Sequence, residues 1–211
     1  MNRREFVVGA ALAAAFPSRA LAADGEPLVL VTADLEAGVL AVDAVSGRVR
    51  KRIGTLDGPR SIEAAGSFAV VGHSERGAVS LIDTRRLAVV RVLGGFREPR
   101  YTAAHPDGRH AYVTDAGRGE VAVLDLVRGR VVARLAVGAR ARHVTIDPRG
   151  RRLWVALGST AEEIAVLGVD APDRLRLLHR FSPPFRAHDV GFAPDGRHVW
   201  VSSGDRFELA V

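Results

Sequence analysis

Residues 107–148, DGRHAYVTDAGRGEVAVLDLVRGRVVARLAVGARARHVTIDP, make up one complete repeat unit, and most of the chain is imperfect copies of it. The unit opens on a turn, Asp107-Gly108-Arg109. An apolar strand follows at Ala111-Tyr112-Val113, then a loop, then a second strand from Val121 to Leu124 that ends in Asp125. A third strand is expected over Arg130–Leu135. A short fourth, from His143 to Asp147, leads into the next turn.

Outward from this unit, the turn recurs at Gly25, Gly66, Gly150 and Gly196, so successive turn glycines are 41, 42, 42 and 46 residues apart. A period of that size suits four short strands and their turns. The predicted copies run near 25–65, 66–106, 107–148, 149–194 and 195–211. Their strands, such as Phe68-Ala69-Val70-Val71 and Leu153-Trp154-Val155, are apolar on both faces. A strand on an open sheet with one wet face alternates apolar and polar residues, whereas one covered on both sides reads as a continuous apolar run. No stretch carries a capped 3.6-residue amphipathic pattern, which excludes a helical solenoid.

The order of signals resembles the YVTN-type β-propeller repeat. Tyr112-Val113-Thr114-Asp115, Val121-Ala122-Val123-Leu124-Asp125, Gly129-Arg130-Val131 and Val137-Gly138 follow its pattern, and Asp147-Pro148-Arg149-Gly150 closes it. His105-Pro106-Asp107-Gly108 and Ala193-Pro194-Asp195-Gly196 close the neighbouring copies. The resemblance implies an all-β propeller of four-stranded antiparallel blades covering residues 25–211. It does not imply one activity, because folds of this kind carry many. The strand count gives about five repeats, three complete and two partial, and the expectation is a truncated member whose circle is incomplete.

In such a propeller the innermost strands run along a central channel, and the residues entering them sit at one rim. Counting eight residues back from the turn glycine gives Arg100, Arg142 and His188, with Arg60 as the counterpart in the shorter first copy. Arg140 and Arg186 lie two residues before Arg142 and His188, His143 follows Arg142, and Tyr101 and Asp189 are the nearest non-basic neighbours. This is a candidate anion funnel, because guanidinium groups offer fixed forks of donors to carboxylate or phosphate. Arg60, Arg100, Arg140, Arg142, His143, Arg186, His188 and Asp189 are therefore the candidate ligand-binding residues.

The sequence assigns no catalytic residue, no metal ligand and no cofactor. Cysteine is absent, which removes disulfides, thiolate metal sites and cysteine nucleophiles. The seven histidines lack metal-binding spacing, and His110 and His198 share one position after the turn, a structural reading. Asp43, Asp83 and Asp125 recur at the end of the second strand and read as turn formers, as does Asp147. Nucleophile-elbow and phosphate-loop motifs are missing. The leading expectation is a non-catalytic binding or scaffold protein that recognises a partner protein or a small anionic ligand at the channel face. The alternative is a lactonase-like hydrolase, or a haem- or metal-dependent propeller enzyme, with Glu63, Asp147 and Asp189 as candidate acids.

The formal charge of +6 is almost all arginine, since Lys51 is the only lysine. The arginines are scattered and aromatic residues make up only 6%, so nucleic acid is not an expected partner. Residues 1–22 resemble a twin-arginine export signal: Arg3-Arg4 precede an apolar run from Phe6 to Phe16, and Ala20-Leu21-Ala22 offers a small-x-small cleavage site. That run is too short to span a bilayer. A periplasmic or extracellular protein without a membrane span is expected.

Overall fold

The computed structural model describes residues 27–158, 162–205 and 208–211. The export signal, the first turn at Gly25 and part of the loop before Glu162 lie outside the described residues. Among the described residues all regular structure is β, in five antiparallel sheets whose strands follow chain order. The first holds β1 (Leu28–Ala33), β2 (Gly38–Asp43) and β3 (Val49–Gly54); the second β4 (Pro59–Ala65), β5 (Phe68–His73), β6 (Ala78–Asp83) and β7 (Ala88–Leu93). The third holds β8 (Pro99–Ala104), β9 (His110–Asp115), β10 (Glu120–Asp125) and β11 (Arg130–Ala136); the fourth β12 (Val144–Ile146), β13 (Arg152–Leu157), β14 (Glu163–Ala171) and β15 (Arg174–Phe181). The fifth holds β16 (Ala187–Phe192), β17 (Val199–Ser203) and β18 (Leu209–Ala210). No helix among the described residues is long and apolar enough to cross a membrane.

The sheets stack face to face like the blades of a propeller. Contacts between successive sheets concentrate on β4, β8, β12 and β16, so these are the inner strands. Each gap between sheets holds its own apolar cluster. Val39, Ile53, Val71 and Ile82 fill the first gap; Val70, Leu81, Val113 and Leu124 the second; Tyr112, Val123, Leu153 and Leu167 the third; Ala156, Ile164, Val190 and Val201 the fourth. Adjacent residues of β5, β9 and β10 thus point into different gaps, and both are buried, which is why these strands read as continuous apolar runs. The outer strands are wetter: β3 buries only Ile53.

The sequence repeat is offset from the sheet. Residues 107–148 supply β9, β10 and β11 of the third sheet, then β12 of the fourth. The turn glycines Gly66, Gly108, Gly150 and Gly196 all adopt positive φ, between 59° and 70°, the region a side chain disfavours. Successive turns also touch: a Cβ on Gly66 would lie 2.1 Å from the carbonyl oxygen of Gly108.

The repeated aspartates are turn formers. Asp43 Oδ1 accepts from the N–H groups of Val45 and Ser46, Asp83 Oδ1 from Arg85 and Arg86, and Asp125 Oδ1 from Arg128. Asp147 accepts from the Arg151 N–H at 2.6 Å. His110 and His198 each bond the aspartate of their own turn through Nδ1, at 2.7 Å to Asp107 and 2.6 Å to Asp195.

Candidate functional site

The four inner strands share a local irregularity that places the basic residues. In β4 the pairing register shifts between Pro59 and Ser61, in β8 between Pro99 and Thr102, and in β16 between Ala187 and Asp189. Before β12, the Arg142 N–H donates to Ala156 O at 2.8 Å while the Ala156 N–H donates to His143 O at 2.9 Å. In every case two residues on the inner strand stand opposite one on its neighbour: Arg60–Ser61 against Gly72, Arg100–Tyr101 against Thr114, Arg142–His143 against Ala156, and His188–Asp189 against Ser202. These are β-bulges, which bend a strand and re-aim its side chains. The basic residue is the first of each pair.

Side-chain contacts tie the bulges together. The Tyr101 and His143 rings lie 3.8 Å apart between centroids, and His143 and His188 lie 5.2 Å apart. A Cβ added to Gly72, opposite the first bulge, would come within 3.7 Å of the carbonyl oxygens of both Pro99 and Arg100. Ser74 donates to Pro99 O at 2.6 Å. The starts of the inner strands therefore form one continuous rim.

His143 is buried and its Nδ1 has no hydrogen-bond partner. Desolvation lowers its pKa below the usual histidine value, the nearby Asp189 carboxylate opposes this, and the positive charges of His188 and Arg142 add to it. The Arg100 side chain is only 17% exposed, and its Nε is buried without a partner. Arg142 is half-buried, whereas Arg60, Arg186, His188 and Asp189 are exposed.

Glu98 is a functional candidate that the sequence reading did not single out. Its carboxylate takes Arg100 Nη1 at 3.5 Å and Arg140 Nη1 at 3.6 Å. It lies two residues before Arg100, the position that Arg140 and Arg186 hold in their own copies. Asp115 is a second. It is wholly buried at the end of β9, and its two oxygens accept from the backbone N–H groups of Arg97, Glu98 and Arg118. It thereby fixes the loop that carries the chain into β8.

Of the candidate acids, Asp147 is committed to its turn. Asp189 Oδ1 accepts from the Val190 N–H at 2.8 Å and faces the rim. Glu63, mid-strand in β4, has solvent access, yet the surrounding chain desolvates it enough to raise its carboxyl pKa above the ordinary range. No three His, Asp or Glu side chains among the described residues are grouped to hold a metal ion.

No family model matches the chain, and no curated protein matches it. Solved structures do. Hydrazine synthase of Kuenenia stuttgartiensis superposes with a TM-score of 0.71 at 24% identity, over 85% of this chain and 53% of that one. A functionally unknown protein from Desulfotomaculum acetoxidans superposes with a TM-score of 0.75 at 15% identity, over 83% of this chain and 59% of that one. The chain thus spans little more than half the length of these structures, and at such identities the likeness is one of fold.

Proposed function

We propose that this chain is a β-propeller binding protein of the YVTN-repeat type that holds a small anionic ligand at the basic end of its inner strands. One observation carries the reading: the same bulge, at the same register, opens on Arg60, Arg100, Arg142 and His188. A scattered excess of basic residues would not coincide four times with a backbone irregularity. The recessed positions of Arg100 and Arg142 favour a small anion over a flat protein partner, because partly desolvated guanidinium groups bind carboxylate or phosphate more strongly than fully hydrated ones.

The test is titration calorimetry with the single-headed anions acetate and inorganic phosphate at physiological salt. Binding to the native chain that falls about tenfold or more in Arg100→Ala/Arg142→Ala supports the reading. Equal binding by both proteins removes it.

The reading includes export directed by residues 1–22, tested by fusing residues 1–30 to a reporter. It also includes five blade-like repeats in an open arc. Support for the arc comes from the exposure of Val29 and Val31 in the first sheet and of Trp200 and Leu209 in the last. Analytical ultracentrifugation tests it: association through these faces is expected, and a strictly monomeric chain at high concentration contradicts it.

A hydrolase is the second reading, and Glu63 is what favours it. A carboxyl with a raised pKa on an inner strand suits general acid–base work. Lactone hydrolysis in a pH-stat that is lost in Glu63→Gln would support it.

A further inference from the structure

We propose that the groove between the third and fourth sheets is a second anion site, for a small molecule carrying two or more phosphate or carboxylate groups. The groove has a volume of about 790 Å³, within the range of small-molecule sites. It lies outside the ring of bulged residues. Arg97, Arg118, Arg140 and Arg180 line it, with Glu98 as the one acid.

Its walls are built rather than incidental. Asp115 fixes one wall through the N–H groups of Arg97, Glu98 and Arg118, and its Oδ2 lies 3.6 Å from Arg118 Nε. On the other wall, Arg180 Nε donates to Val137 O at 2.8 Å, which orients the guanidinium from an outer strand toward the groove. The glycines between the walls are tightly packed. A Cβ on Gly119 would meet Gly138 O at 2.6 Å, one on Gly138 would meet Leu157 Cδ1 at 2.7 Å, and the Arg97 stem occupies the space beside Gly117. A ligand in the groove would meet guanidinium forks on both sides, an arrangement suited to oxyanions spaced along one molecule.

The preceding junction, between the second and third sheets, shows what a closed version looks like. There Phe96 occupies the place of Gly138: the Phe96 N–H donates to Gly77 O as the Gly138 N–H donates to Gly119 O. Arg134, the counterpart of Arg180, bonds Gly95 O, pairs with Glu120 and lies 4.9 Å over the Phe96 ring. Ring and carboxylate together satisfy that guanidinium. At the open junction there is no ring, Leu157 Cδ1 takes the Cβ side of Gly138, and four arginines line the groove beside it.

Titration calorimetry with inorganic tripolyphosphate and with citrate tests the site and separates the two oxyanion types. Tripolyphosphate, citrate or both are expected to bind the native chain. Arg118→Ala/Arg180→Ala should weaken that binding about tenfold or more, while the rim variant Arg100→Ala/Arg142→Ala retains it. Ala139→Glu, which brings a carboxylate to the groove lining without removing any bond, should abolish it. Arg85→Ala/Arg86→Ala, on an exposed turn, reports the effect of net charge alone. The proposal is overturned if neither probe binds, if the groove variants bind like native protein or no worse than the Arg85/Arg86 control, or if the rim variant removes the same binding.

Discussion

The junction closed by Phe96 and the junction opened at Gly138 are built on the same frame. Gly77 at the first and Gly119 at the second both adopt positive φ, and at each an added Cβ would lie 2.6 Å from the carbonyl oxygen of the next sheet's entering loop. A glycine is required at both for that close approach. The backbone contact is thus held constant while the residue above it varies. In one copy an aromatic ring seals the gap and its arginine is neutralised. In the next the gap stays open and its arginines line it. Repetition preserves the contacts that hold the sheets together and leaves the space over them free to acquire a role.

The same contrast separates the buried residues His73 and Asp115, which hold equivalent positions at the ends of β5 and β9. His73 bonds Asp57 O and Ser80 Oγ, tying down the loop that enters β4 with a neutral ring. Asp115 instead gathers three backbone N–H groups. Asp115→Ala would remove the shared acceptor of three part-buried donors, and a loss of about 2–3 kcal/mol is expected in chemical denaturation. A loss under 1 kcal/mol would mean that the loop entering β8 holds itself. Phe96→Ala should cost about 3 kcal/mol and open a second groove beside Arg134. If the first junction then binds tripolyphosphate, the ring alone accounts for the difference between the two.

Asp125 provides a smaller, pH-dependent comparison. The Arg109 side-chain bond, opposed by desolvation and aided by Arg128, lowers its pKa from 3.8 to about 2. A folded-state pKa below the unfolded value gives stability that is complete above about pH 4 and is lost as pH falls toward 2. Asp125→Asn should therefore cost about 1–2 kcal/mol at neutral pH and flatten the acid side of the stability curve. Asp83, in the same repeat position, accepts turn N–H groups, with only a long 4.0 Å contact to Arg86, so Asp83→Asn should cost less.

His143 should give the smallest effect. Its pKa is lowered mainly by burial, so the unfolded chain takes up the proton first, and stability falls as pH drops below about 6.5 toward the folded-state value. His143→Phe keeps a ring against Tyr101 and removes the titrating group. Its thermal midpoint should fall less steeply than that of the native chain between pH 7 and 5, the remaining slope including buried His73, and an unchanged slope would assign the whole dependence elsewhere.

Much of the fold was legible because its signals are local. Glycine spacing, apolar runs and strand-ending aspartates each report on a few neighbouring residues. The bulges were not legible, because a two-against-one register exists only relative to a partner strand. Counting back from the turn glycines nevertheless selected their first residues, Arg100, Arg142 and His188. Glu98 could have been found by the same count, since it holds the position of Arg140 and Arg186. Arg180 could not. It lies on an outer strand, and only the packing of one sheet on the next brings it to Arg97 and Arg118.

The central claim is that repeated bulges converge basic side chains into an anion site. Crystals grown without sulfate or phosphate and soaked in selenate test it most directly through the anomalous signal. The account predicts a selenium peak within hydrogen-bonding distance of both Arg100 and Arg142, and a second between Arg118 and Arg180. Peaks confined to isolated surface arginines, with none at the inner-strand rim, would contradict it.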